Sequence, residues 1–151
     1  MIDLDLLQFK DQLRVRKEAD THYIWDIVRL KWVVAIPEEW VRQLLIHFLI
    51  HELGYRSRLI QVEKEILVNG MRRRYDLLLY GKNMQPYLLA ECKAPGVEIT
   101  QETFDQIARY NMSLQVPFLL VSNGIRQFCC KMDYVQQTYR FTTCIPGPHS
   151  A

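Results

Sequence analysis

The sequence predicts an α/β domain built on a mixed β-sheet flanked by helices. Three observations carry that expectation. A helical apolar stripe opens at Pro37 and stops at Gly54. Three strand-like runs follow it, the first two joined by Asn69-Gly70, and a second amphipathic stretch beginning near Thr100 precedes two more strands split by Asn123-Gly124. A length of 151 residues suits one domain with its own core. We take 1–151 as a single unit, with 1–35 a strand-rich N-terminal extension, 36–135 the core and 142–151 a tail.

Residues 4–16 mix apolar and charged side chains without a clean period, and suggest a short strand pair or a strand entering a turn. Residues 23–34 are rich in aromatic and β-branched side chains and lack Gly and Pro, which predicts one strand bearing Arg29 and Lys31 on one face. Pro37 at a first helical position, Glu38 and Glu39 in the first turn and Gly54 as a stop bound a helix. Trp40, Leu44, Leu45 and Phe48 make its buried stripe. Strands are expected over 59–68, 74–80 and 87–93, with Asn69-Gly70 a two-residue hairpin turn and Gly81-Lys82-Asn83 the next turn. Thr100 is the expected N-cap of the second helix, whose apolar side carries Phe104, Ile107, Ala108 and Met112. Residues 117–122 and 126–131 are the last expected strands, and the chain after Phe141 shows little periodicity.

Composition excludes several classes. Apolar residues at 49% and charged residues at 24% are ordinary for a folded soluble chain. The most continuous apolar run, 44–53, is broken by His47, His51 and Glu52, well short of the roughly 20 residues of a membrane helix. The start, Met1-Ile2-Asp3-Leu4-Asp5, is acidic where a secretory signal is basic, so a cytoplasmic location is expected. Cys92, Cys129, Cys130 and Cys144 lack zinc-site spacing and a regular disulfide framework, and are read as reduced thiols. A net charge of +2 leaves nucleic-acid binding to be decided by local clusters.

The chemistry concentrates in Leu88-Leu89-Ala90-Glu91-Cys92-Lys93. Side chains alternate along a strand, so Leu89, Glu91 and Lys93 share a face and an acid and a base end an otherwise buried strand. Charges there are costly unless they pair or bind something. Asp76 begins the preceding hairpin strand, and antiparallel pairing sets the start of one strand beside the end of the other. Asp76 is therefore expected next to Glu91 and Lys93. Two carboxylates and an ammonium at one sheet edge form a hard-cation site with a proton-handling group beside it, which is what phosphodiester hydrolysis requires. A Mg²⁺ would be held by Asp76, Glu91 and a backbone carbonyl, that of Cys92, with Mn²⁺ as substitute, while Lys93 orients the attacking water.

Asp76 followed after a turn by Glu91-Cys92-Lys93 resembles the motif of the PD-(D/E)xK nuclease superfamily, with Tyr75 where proline often precedes the acid. Gln106-Ile107-Ala108-Arg109-Tyr110 is similar to the QxxxY motif of its RecB-like and type I restriction branch, and places Gln106 and Tyr110 on one helical face. Pro37-Glu38-Glu39-Trp40-Val41-Arg42-Gln43 and Glu91-Cys92-Lys93-Ala94-Pro95 resemble the N-terminal domain of type I restriction enzyme R subunits, over roughly 23–133. The resemblance implies a restriction-endonuclease-like core. It further implies a Mg²⁺-dependent DNA endonuclease domain with Asp76, Glu91, Lys93, Gln106 and Tyr110 as site residues. The first helix often supplies another metal-associated acid in this superfamily, here Glu39 or Glu38. DNA is the implied partner, together with restriction-modification or other DNA-processing subunits. Complete R subunits also carry an ATP-driven translocase, and this sequence has no GxxxxGK(S/T) loop and hence no ATP site of that kind.

Each feature also has a plainer reading. An acid-x-base triplet on a strand is usually a cross-strand salt bridge. Arg72-Arg73-Arg74, with Lys64 and Lys82, can grip phosphates or form a solvated hairpin end. Glu38 and Glu39 can serve the helix dipole, and Gln106 and Tyr110 can simply fix a helix to the sheet. His47 and His51 share a helical face without a third ligand and are not assigned to metal. Trp25, Trp32 and Trp40 are read as core. The alternative to the nuclease is a non-catalytic nucleic-acid-binding or complex-assembly module with the same fold.

Overall fold

A computed structural model describes residues 1–112 and 114–148, with Val68 described by its backbone alone, so the last three residues of the expected tail lie outside it. Three short antiparallel strands come first, β1 (Val15–Glu18), β2 (Thr21–Asp26) and β3 (Lys31–Val34). Helix α1 (Pro37–His47) continues through a wider turn over Phe48–Glu52 and ends at Gly54, whose φ of +79° suits glycine. The main sheet has six strands in sequential order: β4 (Ile60–Val68), β5 (Met71–Tyr80), β6 (Pro86–Cys92), β7 (Phe118–Ser122), β8 (Gln127–Asp133) and β9 (Thr138–Phe141). All neighbours are antiparallel except β6 and β7, which run parallel across the crossover made by α2 (Gln101–Asn111). The sheet is mixed and flanked by helices, as the sequence predicts.

The hairpin between β4 and β5 turns at Asn69 and Gly70, both at positive φ, and its register pairs Val68 with Met71. Thr100 caps α2 by accepting from the Thr103 amide at 3.2 Å. α1 buries Val41, Leu44, Leu45 and Ile46 against Leu77, Leu79, Leu88 and Ala90 on one sheet face, while Phe104 and Ala108 of α2 cover Leu78, Leu89, Leu119 and Val121 on the other. Residues 1–35 feed the α1 side of this core through Ile2, Leu6, Leu13 and Ile24. The tail folds back onto it as well: Ile145 is buried and the Tyr55 hydroxyl donates to the Pro146 carbonyl at 2.6 Å.

Four expectations are corrected. Residues 4–16 hold no strand pair; Leu6–Gln12 forms a tight 3₁₀ segment started by Asp5, whose carboxylate accepts from the Leu7 amide. The single strand expected over 23–34 is two strands. Asp26 breaks it by accepting from the Val28 and Arg29 amides, both at 2.8 Å, and the chain reverses before Leu30. The C-terminal strand β9 is not among the expected strands, because four residues are too short for its alternation to stand out; pairing with β8 sets its Tyr139 and Phe141 against Phe104. Trp25 and Trp32 are half-buried on the outer face of the small sheet, edge to face at 5.5 Å, with the Arg14 guanidinium over both rings.

Candidate metal and nucleic-acid site

The candidate site forms where the sheet comes apart. β5 and β6 pair from Tyr80 and Pro86 down to Leu77 and Ala90, and the ladder ends there. Beyond that point Asp76 takes the place of a backbone partner: its Oδ2 accepts from the Cys92 amide at 2.7 Å. The side chain is thereby locked against β6, beside Glu91. The Asp76 and Glu91 carboxyl groups are in hydrogen-bond contact, and the Glu91 pKa is pushed up to about 8 by burial first, then by the charge of Asp76 and the bond to it. The charges of Lys93 and Arg42 offset part of this.

Glu91 and Lys93 open onto a cleft of about 310 Å³ that is also lined by Gln106, Ile107 and Tyr110 of α2 and by Arg72–Tyr75 of β5. Two of the residues read from the helix motif meet each other, with Gln106 Nε2 3.4 Å from the Tyr110 hydroxyl. The Arg73 guanidinium lies 4.1 Å from the centre of the Tyr110 ring. Asp76 is not part of the cleft lining and meets the site through Glu91, just past the end of the β5–β6 ladder. A larger hollow of about 640 Å³ beside β8 and β9 has Asp133 as its one lining carboxylate and gathers no acid pair.

Behind Asp76 stands a buried ion network that the sequence reading did not anticipate. Arg42 of α1 is within 3.5 Å of Asp76, 3.4 Å of Glu39 and 3.1 Å of Glu63. Burial works against its charge, but the three carboxylates outweigh burial and raise its pKa above the ordinary arginine value. Arg29, from the turn after β2, bonds Asp26 at 2.5 Å, Glu63 at 3.3 Å and also Glu39. Gln43 closes the cluster with bonds to Asp26 at 2.9 Å and Glu39 at 3.0 Å. Asp26 is fully buried, and its pKa is nevertheless low, because the bonds from Arg29, Gln43 and the Val28 amide exceed the penalty of burial. The N-terminal sheet thus reaches the site through charge. A charged residue inside the apolar stripe of α1, three positions after Glu39, was the signal available in the sequence.

Glu39 is therefore not brought to the Asp76–Glu91 pair. Its carboxylate is held by Arg29, Arg42 and Gln43, and Arg42 separates it from Asp76. Glu38 sits half-buried in the first turn of α1. His47 is buried with both ring nitrogens unpartnered, 5.4 Å from the exposed His51 ring. Cys92, Cys129 and Cys130 are buried thiols and Cys144 is an exposed one.

Glu63 has φ +54°, an uncommon backbone state for a residue with a side chain. The β4–β5 ladder skips Glu63 and Asp76, pairing Val62 with Leu77 and Lys64 with Tyr75. Both strands change face there: Ile60, Val62 and Leu77 pack under α1, whereas Ile66 and Tyr75 pack under α2. The distortion is stabilised by Arg42, Arg29 and Arg74 on the Glu63 carboxylate, the last at 2.6 Å.

Among the described residues no three His, Cys, Asp or Glu groups converge as a ready-made metal cluster. Two touching carboxyls with an ammonium nearby nonetheless suit Mg²⁺, which is commonly bound by one or two carboxylates and completes its shell with water and phosphate oxygens. No described helix is long and apolar enough to cross a membrane.

A search among curated proteins finds no match. Among solved structures, the chain resembles the fragment structure described as that of an HsdR subunit of a type I restriction enzyme from Vibrio vulnificus YJ016. The TM-score is 0.54 at 19% identity, over 76% of this chain and 24% of that one, a likeness of fold. The chain thus spans about a quarter of the length of that relative. The family model described as the type I restriction enzyme R protein N terminus matches residues 37–146, from the first turn of α1 through the core to the returning tail, and the chain belongs to that family.

Proposed function

We propose that this domain is a Mg²⁺-dependent DNA endonuclease of the PD-(D/E)xK type, working in a type I restriction-modification setting. The observation that carries the reading is the contact between Asp76 and Glu91 at the end of splayed strands, beside a cleft that also holds Lys93 and the basic run Arg72–Arg74. Asp76, Glu91 and the Cys92 carbonyl would hold the cation, with Mn²⁺ as substitute. When bound, it polarises the scissile phosphate and lowers the pKa of a coordinated water. Lys93 orients that water and offsets charge building on the phosphorus oxygens. Gln106 and Tyr110 bind the DNA backbone from α2. Glu39 acts through Arg42, which steadies Asp76.

The test is incubation of the purified chain with single-stranded, duplex and branched DNA in Mg²⁺ or Mn²⁺, beside Asp76→Ala, Glu91→Ala and Lys93→Ala. The wild-type chain should cut. The two acid variants should lose cleavage while binding DNA as well or slightly better, because a carboxylate has left the phosphate path. Lys93→Ala should lose cleavage and bind modestly less well. Wild-type DNA left intact in every form and metal would favour the non-catalytic binding module.

A further inference from the structure

Tyr75 has no assigned role, and its surroundings are unusual. The change of face at Glu63 and Asp76 takes its ring away from Leu77, which lies under α1, and sets it with Leu78 and Leu89 under α2, at the floor of the cleft. The residue is 4% exposed, and its hydroxyl is buried without a hydrogen-bond partner. Other phenols packed into this fold are satisfied: Tyr55 donates to Pro146, Tyr87 to Gly147 and Tyr134 to Val116, each at a backbone carbonyl. An unpaired buried hydroxyl lowers stability, and phenylalanine would fill the same space without that penalty. Glu91 and Arg73 line the same cleft, and the charges of both bear on the phenol. Glu91 is turned to Asp76.

We propose that Tyr75 is a positioning residue for Glu91: with a divalent cation at the site, its hydroxyl donates to a Glu91 carboxylate oxygen and fixes the orientation in which Glu91 serves as ligand. The proposal rests on the metal-dependent reading above. Outer donors of this kind typically change metal affinity by about 10- to 100-fold when removed.

The experiment titrates Mn²⁺ into the whole metal-free chain by calorimetry, for wild type, Tyr75→Phe and Tyr55→Phe, with thermal melts of each in EDTA. Tyr75→Phe should bind Mn²⁺ about tenfold more weakly or worse, while its metal-free melting temperature stays equal or rises. Tyr55→Phe, which loses a satisfied bond on the α1 side of the sheet, should melt earlier and bind Mn²⁺ normally. Wild-type Mn²⁺ affinity in Tyr75→Phe would overturn the proposal and leave the metal-dependent reading standing. A wild-type chain that takes up no Mn²⁺ would overturn both.

Discussion

Arg42 is the cation on which the back of the site depends, and Arg42→Met isolates its charge while keeping most of its apolar stem. The substitution leaves Glu39, Glu63 and Asp76 without their shared partner. Removing one member of a buried ion pair costs about 3–5 kcal/mol. The lower end applies, because the Glu63 and Asp76 side chains keep 32% and 25% exposure and Arg29 still reaches Glu39 and Glu63. At about 3 kcal/mol, and roughly 2–4 °C per kcal/mol for a chain of this size, the melting temperature should fall by roughly 6–12 °C. Part of the loss should return in Arg42→Met with Glu39→Gln, since one of the unpaired charges is then gone, giving a coupling of at least about 0.5 kcal/mol in a double-mutant cycle. Saturating Mg²⁺ should also raise the melting temperature of Arg42→Met more than that of wild type, since added positive charge replaces what Asp76 lost. Thermal melts followed by circular dichroism, with and without Mg²⁺, measure all three. A fall smaller than about 2 °C would refute the reasoning, and would mean that Arg29 and Arg74 sustain the network alone.

Metal-free stability should decline as pH rises from about 4.5 to about 8, because Glu91 titrates near 8 in the fold and near 4.5 when unfolded, so the folded state holds the extra proton across that window. Glu91→Gln should remove this decline. His47, whose pKa burial lowers, acts in the opposite sense but equally in both proteins, so parallel melting curves in EDTA from pH 5 to 9 would refute the assignment. In the cleft, Arg73 stacks on Tyr110 whereas Arg72 and Arg74 are engaged by Glu65 and Glu63. Arg73→Gln should therefore lower the slope of log binding constant against log salt by about 1, more than either neighbour does, and weaken binding to all DNA sequences alike. An unchanged slope would return Arg73 to the solvated surface.

The sequence by itself determined the features that depend on near neighbours. Asn69-Gly70 dictates the β4–β5 hairpin, Gly81-Lys82-Asn83 marks the turn that folds β6 back antiparallel on β5, and this second pairing with alternation along Leu89, Glu91 and Lys93 brings Asp76 beside Glu91. Pro37, Gly54 and Thr100 mark helix limits through backbone chemistry confined to a few residues. Short elements such as Leu6–Gln12 and β9 span too few residues for a period to show and take their conformation from what they pack or pair against.

Only the tertiary structure decided how the site is held. Asp26, Glu39, Glu63 and Asp76 come from four separate elements, and their sharing of Arg29 and Arg42 depends on how the small sheet docks on α1 and α1 on the main sheet. No periodicity encodes that docking, because pairing of charges far apart in the chain follows from burial rather than spacing. The same holds for Glu63 at positive φ. Local preference disfavours that state, three arginines on its carboxylate offset the cost, and the change of strand face there puts Tyr75 under α2, in the cleft lining it shares with Glu91.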